Sequence, residues 1–143
     1  MSEIALPPPD ALFTLTANRW TQPFWDAARD RRLTACRCAD CGAFRMPPTP
    51  FCPKCQSQSV EWPDVPGTGS LFSWTVVRRA IAPGMERSLP YVPALVDLDG
   101  APGARLISNV IGCRLDALRV GARLDLIWRD GPGGQSLPGF RLT

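Results

Sequence analysis

Two cysteine pairs are the residues whose type and spacing point to chemistry. They are Cys38-Ala39-Asp40-Cys41 and, ten residues further on, Cys52-Pro53-Lys54-Cys55. Thiolates suit zinc because the ion is borderline-soft and accepts four sulfur ligands in a tetrahedron at a structural site. Each C-x2-C pair puts two sulfurs on one tight turn, and two facing turns leave no position for water. Gly42 permits the positive φ that a metal knuckle commonly needs, and Pro53 fixes φ where no helix is wanted. The rivals are a redox C-x-x-C and a pair of disulfides. A redox motif would be single and would open a helix beside a βαβ unit, which is not the pattern here. The spacing therefore predicts a closed zinc site with Cys38, Cys41, Cys52 and Cys55 as ligands. Such a site holds a region together and names no reaction. Cys36 reads as a neighbour of the site and Cys113 as a small buried hydrophobe.

Little other chemistry is offered. The 143 residues contain no histidine, which removes the commonest general base and the usual catalytic zinc ligand. The formal charge is +3, and four zinc-bound thiolates with the ion change it to 3 − 4 + 2 = +1. A nearly neutral chain has no general electrostatic pull on nucleic acid. Arg78 and Arg79 stand at a strand end, where they read either as solvated charges or as a phosphate-binding fork. No apolar run approaches the length of a membrane span. The first ten residues lack a basic segment and are interrupted by Pro7-Pro8-Pro9, so no signal peptide is expected. With reduced thiolates, that predicts a cytoplasmic protein.

Four segments position these residues. Residues 1–19 read as an extended, partly disordered arm. Residues 20–34 hold a short helix, with Thr21 as N-cap, Pro23 in the first turn and Phe24, Ala27, Ala28 and Arg31 on one face. Its aromatics Trp20, Phe24 and Trp25 either pack on their own domain or dock on a partner, since exposed aromatics mark interfaces. Residues 35–66 form the metal module, with a strand at 43–46 and a returning strand at 59–62. Such a module is too small to fold without its metal. Residues 67–143 are strand-like. Ser70–Arg79 alternates, with Leu71, Ser73, Thr75 and Val77 on one face and Phe72, Trp74 and Val76 on the other. Strands follow at Tyr91–Leu98, where Pro93 suggests an edge or a bulge, at Ala104–Ile111, at Ala122–Arg129 and at Gly139–Leu142. Five strands, with a helical turn at Leu115–Leu118 between the third and fourth, give the order of an OB-fold barrel. The expected fold is mainly β: an N-terminal helix, a rubredoxin-like zinc ribbon and a five-stranded OB-fold barrel.

The ordered motifs resemble a family of small proteins that join a zinc ribbon to an OB-fold and travel with acyl-CoA enzymes. The resemblance runs through Phe24-Trp25-Asp26-Ala27-Ala28, Arg37-Cys38-Ala39-Asp40-Cys41-Gly42, Met46-Pro47-Pro48 and Cys52-Pro53-Lys54-Cys55. It continues at Gly67-Thr68-Gly69-Ser70-Leu71-Phe72, Pro90-Tyr91-Val92-Pro93 and Ile107-Ser108-Asn109-Val110-Ile111-Gly112. It implies a non-catalytic subunit with a structural zinc, bound to a thiolase-superfamily enzyme that makes or breaks carbon–carbon bonds on acyl-CoA or ketone substrates. The barrel and helix would then brace that partner and border its substrate tunnel. From the residues alone, a single-stranded nucleic-acid module is the alternative, with Phe72, Trp74 and Trp128 as a stacking platform. A metal hydrolase is weaker, because four sulfurs leave no open position on the ion.

Overall fold

The computed structural model describes residues 3–143; the first two residues of the expected arm lie outside them. A short helix, α1 (Gln22–Arg29), precedes a two-stranded ribbon of β1 (Arg37–Cys38) and β2 (Val60–Glu61). Five strands follow: β3 (Thr68–Trp74), β4 (Val92–Leu98), β5 (Arg105–Val110), β6 (Arg123–Asp130) and β7 (Ser136–Leu142). They close as a barrel in the order β3-β4-β5-β7-β6, with the β5–β7 contact parallel and the rest antiparallel. That order is the Greek-key order of an OB-fold. Among the described residues, no helix is long and apolar enough to cross a membrane.

The barrel core follows the period of two. Along β4, Val92, Ala94, Val96 and Leu98 are buried and the residues between them are half-exposed. They meet Leu71, Val110, Leu124 and Phe140, all fully buried. The strand pairs approach closely at Gly69. A Cβ there would stand 2.4 Å from the Asp97 carbonyl oxygen, so only glycine fits the β3–β4 seam.

The alternation expected for β3 fails at one point. The β3–β4 register slips between Leu71 and Ser73, so Phe72 is the extra residue of a β-bulge. A bulge moves every later side chain to the opposite face. Leu71 is buried, and beyond the bulge it is Trp74 and Val76 from the other expected face, not Ser73 and Thr75, that pack against the core. Pro93 is not on an edge, since β4 is paired on both sides. Its carbonyl accepts from the Thr75 N–H at 3.0 Å, so its nitrogen faces β3 just past the last paired residue, Trp74. The missing donor interrupts the ladder for one bond only; pairing resumes with Val77 and Tyr91, whose N–H groups donate to each other's carbonyls at 2.9 and 3.3 Å.

The expectation of a partly disordered arm is corrected at its start. Ala5 exchanges backbone hydrogen bonds with Cys113 and Gly112, both at 2.8 Å, and Leu6 N–H donates to the Pro90 carbonyl at 2.9 Å. Ala5 is buried, and Asp10 pairs with Arg129 of β6. Helix α1 is shorter than expected, and Thr21 is its N-cap residue as expected but makes no side-chain capping bond. The Asn18 side-chain oxygen accepts from the N–H groups of Trp20 (2.9 Å) and Thr21 (3.0 Å), while the Thr21 hydroxyl turns back to Asn18, accepting from its N–H at 3.0 Å and donating to its oxygens at 3.4 Å. At the other end Arg31 adopts φ 55°, with Arg32 N–H bonded to Ala27 O and Arg31 N–H to Ala28 O. This is a Schellman stop, here without a glycine. Phe24, Ala27 and Ala28 face inward, and Phe24 meets Trp25 edge-on at 4.9 Å.

Candidate metal centre and the adjoining groove

The two knuckles are near copies of one turn. Cys38 O accepts from Gly42 N–H and Cys52 O from Gln56 N–H, both at 2.9 Å. Gly42 (φ 79°) and Gln56 (φ 68°) are left-handed at matching positions, one residue past the second cysteine. The glycine was legible in the sequence; the glutamine carries no such signal. The Ser57 hydroxyl donates to the Asp40 carboxylate, and Ala39 N–H donates to Ser59 O at 2.9 Å, which locks one knuckle to the other. β1 and β2 pair through Arg37↔Glu61 and Cys38↔Val60, and Arg37 adds an ion pair to Glu61 at 2.6 Å. The strand expected at 43–46 contributes one bridge, Phe44 to Arg37.

This folding brings together the four cysteines that the spacing singled out. The sulfurs of Cys38, Cys41, Cys52 and Cys55 lie within 4.8 Å of one another, and Cys38–Cys55 and Cys41–Cys52 are each 3.5 Å apart. A tetrahedron with zinc–sulfur bonds of about 2.3 Å has edges of about 3.8 Å, so the donor set fits the ion. The turns favour the thiolate at two of the four positions, Cys38 and Cys52, while neighbouring sulfurs push Cys41 and Cys55 up. Backbone N–H groups of Cys41 and then Asp40 point at the Cys38 sulfur and hold its pKa down at about 6; those of Cys55 and Lys54 lower that of Cys52. Cys38 and Cys52 are buried, Cys41 and Cys55 exposed. Cys36 is buried outside this set, and Cys113 is buried in the barrel core, as the sequence suggested. Among the described residues no other cluster of metal-ligating groups occurs.

Beside the ribbon, an open groove of about 640 Å³ runs between the arm, α1 and the outer barrel face. Phe13, Leu15, Trp25, Ile107 and Leu137 supply its apolar walls, and Arg29 and Arg129 its charge. Phe13 is 58% exposed and Ile107 68%. The aromatic helix packs on its own domain: Phe24 enters the core, and Trp25 packs against it while also lining the groove. Two other sequence candidates do not come together. Arg78 is engaged by Glu3 of the arm, and among the described residues Arg79 makes no ion pair. Trp74 and Trp128 pack against the core, and Phe72 lies under the Arg105 guanidinium at 3.7 Å, so no aromatic platform is presented.

Comparison with known proteins follows the same division of the chain. Residues 25–61 match the model of the ChsH2 rubredoxin-like zinc ribbon domain, and residues 62–129 that of the ChsH2 C-terminal OB-fold domain. A solved structure described as "Ltp2-ChsH2(DUF35) aldolase" superposes with a TM-score of 0.79 at 35% identity, covering 90% of this chain and 98% of that one. A probable enoyl-CoA hydratase alpha subunit of Thermomonospora curvata is 37% identical over 134 residues, 93% of this chain. The chain spans only 41% of that relative's length. A DUF35 domain-containing scaffold protein of Methanothermobacter thermautotrophicus is 28% identical over 114 residues, 76% of this chain and 84% of its own.

Proposed function

The chain belongs to the ChsH2 family of zinc-ribbon and OB-fold proteins, and on that premise we propose that it is a non-catalytic accessory subunit of an acyl-CoA-processing enzyme. The single observation that carries this reading is the match to the chain solved under the description of an Ltp2-ChsH2 aldolase, which this chain covers almost end to end. The partner is a thiolase-superfamily subunit that makes or breaks a carbon–carbon bond beside a thioester or ketone. Cys38, Cys41, Cys52 and Cys55 would hold a zinc that contributes fold stability and no chemistry, because four sulfurs close its coordination. The chain has no histidine, and its four clustered thiols are taken up by the metal, so the reacting groups belong to the partner.

The hydratase-subunit relative supports a second reading, in which the unit serves a hydratase that acts on an acyl-CoA double bond. Affinity purification from the native host at gentle salt, with intact-complex mass, separates the two. A thiolase-fold protein in fixed ratio is the expected result, and a hydratase in fixed ratio would move the assignment. A chain that elutes without any stable partner would refute the accessory role.

A further inference from the structure

Among the described residues Arg45 is the one charged side chain in the buried class, with 6% exposure. Its Nε donates to the Thr49 carbonyl at 2.9 Å, while Nη1 and Nη2 are buried with no hydrogen-bond partner. Among the described residues, no carboxylate pairs with it. A buried guanidinium left so is strongly unfavourable unless negative charge lies nearby.

The ribbon's hydrogen-bond register identifies that charge. Arg45 N–H donates to Cys36 O at 2.9 Å and Cys38 N–H to Ala43 O at 2.8 Å, with Arg37 and Phe44 bridged between them. Arg45 is thus directly opposite Cys36, and the side chains of residues 36, 38 and 45 leave the same face of this hairpin. Cys36, Cys38 and Cys52 are all buried to 1% exposure or less. The Cys36 sulfur is within electrostatic reach of both the Arg45 guanidinium and the sulfurs of Cys38 and Cys52. Four thiolates on a divalent ion carry −4 + 2 = −2; Cys41 and Cys55 are exposed, while the buried Cys38 leaves the same hairpin face as an arginine that, among the described residues, pairs with no carboxylate.

We propose that Arg45 is the buried counter-ion of the metal–thiolate centre. The guanidinium offsets the dianion and slows loss of the metal, and the dianion in turn lets the guanidinium stay buried without a carboxylate. Arg45 touches neither substrate nor partner in this role; it positions charge. The inference rests on the assignment of the four cysteines as metal ligands, and the two can fail separately.

The test compares the full chain with Arg45→Met, which keeps length and removes charge, and Arg45→Lys, which keeps charge. Zinc content of the unsubstituted chain comes first: less than one ion per chain refutes the ligand assignment and the counter-ion with it. Given one ion per chain, competition with a chromophoric chelator should show zinc held about ten- to a hundredfold less tightly by Arg45→Met, the range for lost outer-shell partners, and nearly normally by Arg45→Lys. Charge is then separated from shape by loading iron in place of zinc. The site carries −1 with ferric and −2 with ferrous iron, so removal of a nearby positive charge must lower the one-electron midpoint potential read by voltammetry. Arg45→Met should fall and Arg45→Lys should not. Equal weakening by both variants with unmoved potentials, or no weakening in either, overturns the counter-ion and leaves the ligand assignment standing.

Discussion

The arm is held to the barrel at a point where charge is nearly out of water, and breaking that contact has a calculable consequence. Asp10 accepts from the Arg129 guanidinium with side chains 28% and 14% exposed, and Arg129 Nε is buried without any partner. A fully exposed ion pair contributes about 0–1 kcal/mol. Removal of one partner from a fully buried pair costs about 3–5 kcal/mol, because a charge stays behind in the interior. The intermediate burial here puts Asp10→Ala at about 1–3 kcal/mol. At about 2–4 °C per kcal/mol for a chain of this size, the melting temperature should fall by about 2–12 °C. The double variant Asp10→Ala/Arg129→Met should regain most of that loss, since it leaves no orphaned guanidinium. Thermal melts followed by circular dichroism measure this. Limited proteolysis of residues 11–16, all of them exposed, reads release of the arm in parallel. If Asp10→Ala melts within about 1 °C of the parent and is cleaved no faster, the pair is solvent-screened and does not pin the arm.

Three further outcomes follow from the same geometry. Gly69→Ala places a methyl group 2.4 Å from the Asp97 carbonyl and 2.8 Å from Val96 Cγ1 in the β3–β4 seam, so denaturant unfolding should show a loss of about 1–3 kcal/mol with zinc content unchanged. Removal of zinc by a chelator should abolish amide protection over 35–62, whose two-stranded ladder has only two residue pairs, while strands β4, β5 and β6 stay protected in hydrogen-exchange mass spectrometry. The Arg123 guanidinium, and then the Thr68 hydroxyl, hold the Asp99 carboxyl below its usual range. A depressed folded pKa gives stability that is present above the unfolded value near ~3.9 and is lost as pH falls through the folded one. Asp99→Asn should therefore flatten the acid limb of a pH–stability curve below about pH 4 and leave its shape near neutrality alone.

The sequence by itself determined what is local or periodic. Two C-x2-C turns fix where four sulfurs sit because each pair spans a single hydrogen-bonded turn, and Gly42 marks the first of them. Alternation along Val92–Leu98 and Leu124–Trp128 selects the inward face because a strand repeats every two residues, and glycine-bearing turns separate the barrel strands. Tertiary structure decided everything that depends on which backbone lies opposite. The bulge at Phe72 comes from pairing with β4, and it reverses the faces that strict alternation assigns. Pro93 sits in an inner strand because its carbonyl still accepts from Thr75 and pairing resumes at Val77 and Tyr91. The proline-rich arm is held by backbone bonds to Cys113, Gly112 and Pro90, far along the chain. Gln56 holds a left-handed conformation that no local preference announces. Arg45 reads in the sequence as one more arginine among fifteen; only the pairing of residue 45 with residue 36 puts its charge under the metal–thiolate face. Burial and electrostatic reach are properties of contacts across the chain, and no window of neighbouring residues contains them.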